Sequence, residues 1–282
     1  MTKAPTPQEL QALRRARGFV FDVDGTLALA DKNLGAYQPL PGAVELVTSL
    51  QRRGVPCVAF TNGSTKTPAE LSKALQAVGL PFDEAHTLTP ISVAADHFRA
   101  KKYRTALVLG VEGVWRPLQD VGIEVTVAPE RRDDAQVVLI GWYPQFGLAD
   151  LEAACRAVWG GAALYAASVA PYVASREGRT IGVSGAIAAG VRNVTGKRAT
   201  VIGKPSLPAL RCVSARLGVK PSEMAIVGDD ASLEVAMAHR GGALSVAVHT
   251  GLGTASSFAA LPADGRPHLS LPGVDRLVEL LA

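Results

Sequence analysis

The sequence predicts an α/β protein: a parallel, doubly wound sheet with helices on both faces, interrupted by an inserted α+β unit. Three observations predict it. Short apolar runs alternate with amphipathic helical stretches at both ends of the chain, the pattern of strands joined by helical crossovers. Four of those runs stop at polar groups: Asp22 and Asp24, Thr61 and Asn62, Lys204, and Asp229 and Asp230. In a parallel sheet all carboxyl ends lie on one edge, where open α/β sheets bind ligands, so groups far apart in sequence converge. The texture changes between 90 and 182, which reads as a self-contained set of strands and helices. The expected division is therefore 1–89 with 183–282 as the core and 90–182 as an insert.

Taken in order, Leu10 and Leu13 suit a short amphipathic helix, and the first 17 residues hold no apolar signal core. Phe19-Val20-Phe21 is a buried strand ending in Asp22-Val23-Asp24-Gly25-Thr26. Residues 28–39 read as a polar connection. Pro41-Gly42 opens a helix with Val44, Leu46, Val47 and Leu50 on one face, and Gly54 ends it. Residues 55–60 form a second strand, stopping at Thr61-Asn62-Gly63-Ser64. Thr67-Pro68 starts the next helix, and 86–88 suits a short strand.

Within the insert, strands are expected at 105–109, 123–127, 137–140 and 163–167, with helices at 112–121 and 148–159. The first texture resumes with a helix at 185–194, a strand at 200–202 before Gly203-Lys204-Pro205, and a helix from Ser206 to Leu217. A strand at 224–227 runs into Gly228-Asp229-Asp230, followed by a helix at 233–238, a strand at 243–248 and a closing helix at 274–281.

Composition narrows the function classes. A hydrophobic content of 48% supplies a full core, and 19% charged residues is too few for a disordered chain. The net charge of +4 is scattered, with no basic stripe interleaved with aromatics, which argues against a nucleic-acid partner. Three widely spaced cysteines without Cys-x-x-Cys argue for a reducing compartment, and the five histidines show no metal-ligand spacing. No apolar run reaches the length of a membrane span, so the expectation is a soluble, cytoplasmic protein.

The chemistry concentrates at the strand ends. Alternation points Asp22 and Asp24 the same way, so their charges crowd each other unless a proton or cation intervenes. Gly25 allows close backbone approach and leaves an N–H for an anion. Carboxylates, a lysine and hydroxyl and amide donors suit an oxygen-liganded divalent cation together with an anionic substrate. Taken singly, each motif also has a plain structural account, as a helix cap, an acidic turn or a surface lysine.

The ordered set Asp-x-Asp-Gly-Thr, strand-end Thr-Asn, Gly-Lys-Pro and Gly-Asp-Asp resembles the haloacid dehalogenase (HAD) superfamily. The stretch Thr61-Asn62-Gly63-Ser64-Thr65-Lys66-Thr67-Pro68 and the insert after it are similar to the NagD-like, subfamily IIA phosphatases. The resemblance runs from about residue 18 to the C-terminus. It implies a Rossmann-like, HAD-like core with a cap domain, and a Mg2+-dependent phosphatase acting on a small phosphorylated metabolite, with room for a homodimer. It implies Asp22 as the nucleophile that forms an aspartyl-phosphate and Asp24 as general acid and base. Thr61, Asn62 and Gly63 would bind phosphate, with Lys204 neutralising charge. Mg2+ would be held by Asp22, the Asp24 carbonyl and Asp229, with Asp230 and Glu234 behind them.

Two departures stand out. Glu234 takes the place of an expected aspartate, keeping the charge on a longer arm. Where relatives often show Thr-Asn-Pro-Asp, this chain has Ser168-Val169-Ala170-Pro171, and Gly141-Trp142-Tyr143-Pro144-Gln145-Phe146 lacks the acidic residues common there. Trp142 and Tyr143 read either as a packed aromatic pair or as groups facing a substrate. Competing functions are dehalogenation, which Asp24 argues against, a phosphotransferase or phosphomutase, and a catalytically weak or inactive phosphometabolite-binding protein. The identity of the phosphorylated substrate is not written in these motifs.

Overall fold

The computed structural model describes residues 5–31, 36–175 and 178–281. Helix α1 (Pro7–Arg15) starts on a capping box: Thr6 accepts from the Glu9 amide, the Glu9 carboxylate accepts from the Thr6 amide, and Pro7 presets the first turn. It leads into β1 (Gly18–Phe21), buried along its whole length. β2 (Ala28–Ala30) and β3 (Tyr37–Pro39) form an antiparallel hairpin where a polar connection was expected. The sheet then continues through α2 (Ala43–Arg52), β4 (Cys57–Phe60), α3 (Pro68–Gln76) and β5 (Thr87–Leu88). Helix α4 (Pro90–Ala100) was not foreseen, although Thr89, Pro90 and Ser92 carry the same capping signal as α1.

The insert contributes β6 (Thr105–Leu109), α5 (Glu112–Asp120), β7 (Glu124–Val127), β8 (Val137–Ile140), α6 (Leu148–Trp159) and β9 (Ala163–Ala166). An antiparallel hairpin follows, β10 (Tyr172–Ser175) with β11 (Gly178–Ile181), also unforeseen. After it come α7 (Val183–Thr195), β12 (Thr200–Val201) and α8 (Leu207–Leu217), the last capped by Ser206 and closed by a left-handed Gly218. The chain ends through β13 (Met224–Gly228), a π-helical turn (Ala231–Val235), α9 (Ala236–Gly241), β14 (Leu244–Val248), α10 (Ala255–Ala259), β15 (Leu269–Leu271) and α11 (Asp275–Leu281).

Among the described residues, the core sheet has the order β15-β14-β13-β1-β4-β5, with every neighbouring pair parallel. β1 lies between β13 and β4, so the first acidic motif stands at the middle of the carboxyl edge. The insert forms a second sheet, β12-β9-β8-β6-β7, also wholly parallel. It is thus an α/β layer and not the expected α+β unit, because helices carry its parallel connections β6–α5–β7 and β8–α6–β9.

Sheet membership bears on where the chain returns to the core. β12 pairs with β9, and Ile187, Ala188 and Val191 of α7 are buried with Val138 and Ile140 of β8. Residues 183–201, expected in the core, therefore pack with the insert. On this packing we propose the second core segment begins near Gly203. One buried cluster spans both layers, joining Val20, Val58 and Phe60 to Val108 and Leu139 through Ile91 and Phe98 of α4 and Val213 of α8.

Candidate active site

Four carboxyl-edge turns build the site. Asp22 follows β1 directly, and its amide donates to the Val227 carbonyl of β13 at 2.9 Å, so the turn stays bonded to the sheet. Its carboxylate faces a buried cation: the Lys204 Nζ lies 2.5 Å from Asp22 Oδ1. Lys204 is only 1% exposed, so it is no surface lysine. Its Nζ also donates to the Phe60 carbonyl at 2.6 Å and pairs with Glu234 Oε1 at 2.7 Å. Burial alone would strip its proton, but Asp22 and Glu234 together outweigh that and hold its affinity for the proton above the ordinary lysine value.

Asn62 sets the backbone of that lysine. Its Oδ1 accepts from the Lys204 amide at 2.8 Å and its Nδ2 donates to the Lys204 carbonyl at 3.0 Å. A reciprocal amide pair thus ties the end of β4 to the turn after β12. Thr61 Oγ1 donates to Asp24 Oδ2 at 3.0 Å and accepts from the Gly63 amide at 2.9 Å. The expected phosphate-binding residues Thr61, Asn62 and Gly63 all line the cleft, and the side chains of Thr61 and Asn62 also hold the two catalytic candidates in place.

Asp24 is the electrostatic outlier. Burial first, and then the neighbouring Asp22 charge, push its carboxyl up to about 7; the Thr61 bond and the charges of Lys204 and Lys66 pull the other way. Its Oδ1 is buried with no protein partner. A carboxyl that keeps its proton near neutrality, beside a nucleophile candidate, has the makings of a general acid.

The β13 turn splits its two aspartates. Asp229 is buried; its Oδ2 accepts from the Leu252 amide at 2.6 Å. Burial, then Asp22 and Glu234, raise its carboxyl well above the usual range. Asp230 turns away: its Oδ1 accepts from the Ser232 amide and hydroxyl, both at 2.7 Å, as a helix-capping side chain does. Glu234 reaches back through the π-helical turn, its Oε2 accepting from the Asp230 amide at 3.2 Å. The longer arm expected beside a metal ion instead grips Lys204. Gly228 makes room for it, since a Cβ there would lie 2.0 Å from the Glu234 Cγ.

The donor set can be tested against a divalent cation. Asp22 and Asp229 repel each other in a buried site, the condition a cation relieves. Gly25 and Gly251 press against Asp229: a Cβ on Gly251 would lie 2.0 Å from Asp229 Oδ2. Among the described residues no cluster of three or more His, Cys, Asp or Glu side chains forms a metal cage. Two carboxylates and a backbone carbonyl, with Glu234 neutralised by Lys204, suit an ion that keeps most of its waters, as Mg2+ does. The residues fit.

Several positions escaped the sequence reading. The loop after β14 supplies the Leu252 amide to Asp229 and the Thr250 hydroxyl to the Gly25 carbonyl at 2.6 Å. Its signal was present, an apolar strand ending in Thr250-Gly251-Leu252-Gly253. Ser64 Oγ accepts from the Trp142 amide at 2.9 Å, joining core to insert. The aromatic pair divides: Trp142 lines the cleft, whereas Tyr143 donates to the Ala128 carbonyl and packs inside the insert. Ser168, Tyr172, Ile181 and Ser184 complete the far wall.

The chain is similar to known proteins along most of its length. A family described as haloacid dehalogenase-like hydrolase matches residues 19–124, and a HAD-hydrolase-like family matches 201–277, leaving the middle of the insert unmatched. Chronophin of Homo sapiens is 27% identical over 95% of this chain and 94% of its own length. Ribonucleotide monophosphatase NagD of Escherichia coli is 24% identical over 92% and 96%. The crystal structure of a glycerol phosphate phosphatase of Mycobacterium tuberculosis, in complex with magnesium, superposes with a TM-score of 0.81 at 24% identity, covering 96% of this chain and 77% of that one. Families of haloacid dehalogenase-like hydrolases thus match the chain on both sides of the insert, and NagD is among its relatives.

Proposed function

We propose that the chain hydrolyses a small phosphomonoester through an aspartyl-phosphate. The observation that carries this reading is the pairing of a lysine-bound Asp22 with an Asp24 that keeps its proton near pH 7. In the first step an Asp22 oxygen attacks phosphorus, and the bond from phosphorus to the ester oxygen breaks. Asp24 gives its proton to the departing alkoxide, so a neutral alcohol leaves. In the second step water attacks the phosphorus, Asp24 takes back a proton, and the acyl-phosphate bond breaks to free phosphate and Asp22. Lys204 neutralises charge on Asp22 and on the phosphoryl oxygens, and Thr61 and the Gly63 region position them.

Asp22, the Asp24 carbonyl and Asp229 would hold Mg2+, which when bound would offset the phosphoryl charge. The phosphatase names of NagD and of the Mycobacterium tuberculosis neighbour, and the magnesium complex of the latter, support this assignment. The test is phosphate release from a panel of phosphorylated metabolites with Mg2+, beside Asp22→Asn. Turnover that disappears in the variant while the circular dichroism stays unchanged supports the reading. Near-wild-type activity in Asp22→Asn removes Asp22 as nucleophile.

A further inference from the structure

The cleft that holds Asp22 and Asp24 is also lined by large apolar and aromatic side chains. Tyr172 and Ile181 begin and end the β10–β11 hairpin, facing each other across the ladder. Trp142, Val183 and Leu233 line the same cleft, as do Ser168 and Ser184. Ile181 is 63% exposed and the nearby Val169 51% exposed. Large aliphatic side chains left open at the rim of a cleft are surface that a ligand covers. The charged groups among the described lining residues are all carboxylates, Asp22, Asp24, Asp229, Asp230 and Glu234. The guanidinium of Arg179 lies 4.3 Å over the Tyr172 ring, engaged with that aromatic face. The wall is also anchored, by the Trp142 amide on Ser64 and the Ser184 hydroxyl on the Ser168 carbonyl at 2.9 Å.

We propose that the alcohol of the substrate carries an uncharged aromatic or branched apolar body, seated against Trp142, Tyr172 and Ile181. Esters with a second anionic group beside the phosphate are disfavoured, because the charged groups among the described lining residues are carboxylates and Arg179 is taken up by the Tyr172 ring. This rests on the phosphomonoesterase reading.

The test compares kcat/KM for benzyl phosphate, ethyl phosphate, glycerol 3-phosphate and 2-phosphoglycolate. All four are alkyl esters, so the ring and the charge, and not an activated phenolate leaving group, set the differences. Benzyl phosphate is expected to exceed 2-phosphoglycolate and glycerol 3-phosphate by about tenfold or more, the effect of covering one ring. Ile181→Ser, at an exposed position that does not threaten folding, is expected to lower the benzyl-to-ethyl ratio by roughly fivefold, and Trp142→Ala by roughly tenfold. Equal or better turnover of 2-phosphoglycolate, or variants that leave the benzyl-to-ethyl ratio unmoved, overturns the inference. Silence on all four esters overturns the phosphomonoesterase reading instead, and calorimetry then decides the inference. Tighter binding of benzylphosphonate than of phosphonoacetate upholds it, and equal or reversed binding overturns it.

Discussion

Lys204 keeps its charge in a place where a lone ammonium would lose it, because two carboxylates and a carbonyl oxygen surround it. The converse also holds. Without the ammonium, Asp22 and Glu234 would be left as buried carboxylates with no charge between them. Lys204→Met is therefore expected to lower stability by about 3–5 kcal/mol, the usual cost of leaving a buried charge unpaired. It should also cut kcat by at least about 10²-fold, the scale of losing one oxyanion donor. Thermal unfolding and steady-state kinetics read the two effects separately, and a variant with wild-type kcat would end the catalytic assignment. Asp229 makes the opposite demand, since burial and the charges of Asp22 and Glu234 raise its carboxyl, the repulsion a bound cation would relieve. Chelation by EDTA is expected to stop phosphate release, and excess Mg2+ to restore it; activity indifferent to chelator would mean the buried carboxylates serve another purpose.

The elements deliver these side chains through their ends. The loop after β14 shows how tightly, since Gly251 lies where a methyl group would strike the Asp229 carboxylate and the Gly25 Cα, 2.8 Å away. Its backbone is not in the left-handed region, so Gly251→Ala tests the contact and not the turn. The variant is expected to raise the Mg2+ concentration needed for half-maximal activity by about tenfold or more, with stability lowered by about 1–3 kcal/mol. An unchanged Mg2+ requirement, measured by titration, would show that Asp229 does not serve the ion. The ends of β1, β4 and β13 were legible because each joins an unbroken apolar run to a polar turn, a signal confined to neighbouring residues. Less could be read where partners are distant. The stretch expected as a polar connection instead supplies two short strands, β2 and β3, which pair Ala28 with Pro39. Helix α7 is amphipathic whichever layer it joins, and only its burial against β8 and β9 assigns it to the insert. The length of the Glu234 arm was visible, but its partner, 30 positions earlier in the chain, was not.

Across the whole molecule the two sheets are not separate bodies with a wet seam between them. The buried cluster that runs from Val20 and Val58 through Phe98 to Val108 and Leu139 belongs to both. Phe98 is fully buried at the junction, with its ring 4.8 Å from that of Tyr165 and 5.7 Å from that of Tyr103. Truncating it removes contacts that each layer uses, so Phe98→Ala is expected to cost about 3–5 kcal/mol. The shared core also predicts how that loss is expressed. All three tryptophans, Trp115, Trp142 and Trp159, lie in the insert, so tryptophan fluorescence weights that layer and its seam, whereas far-UV circular dichroism follows the helices of both. If the layers are coupled through α4 and α8, the fluorescence and dichroism transitions in urea coincide, in the wild type and in Phe98→Ala, and shift together to lower denaturant. Layers that fold independently would give a fluorescence transition that moves away from the dichroism transition when Phe98 is cut back. Coincidence would mean that the core and the insert unfold as one cooperative unit.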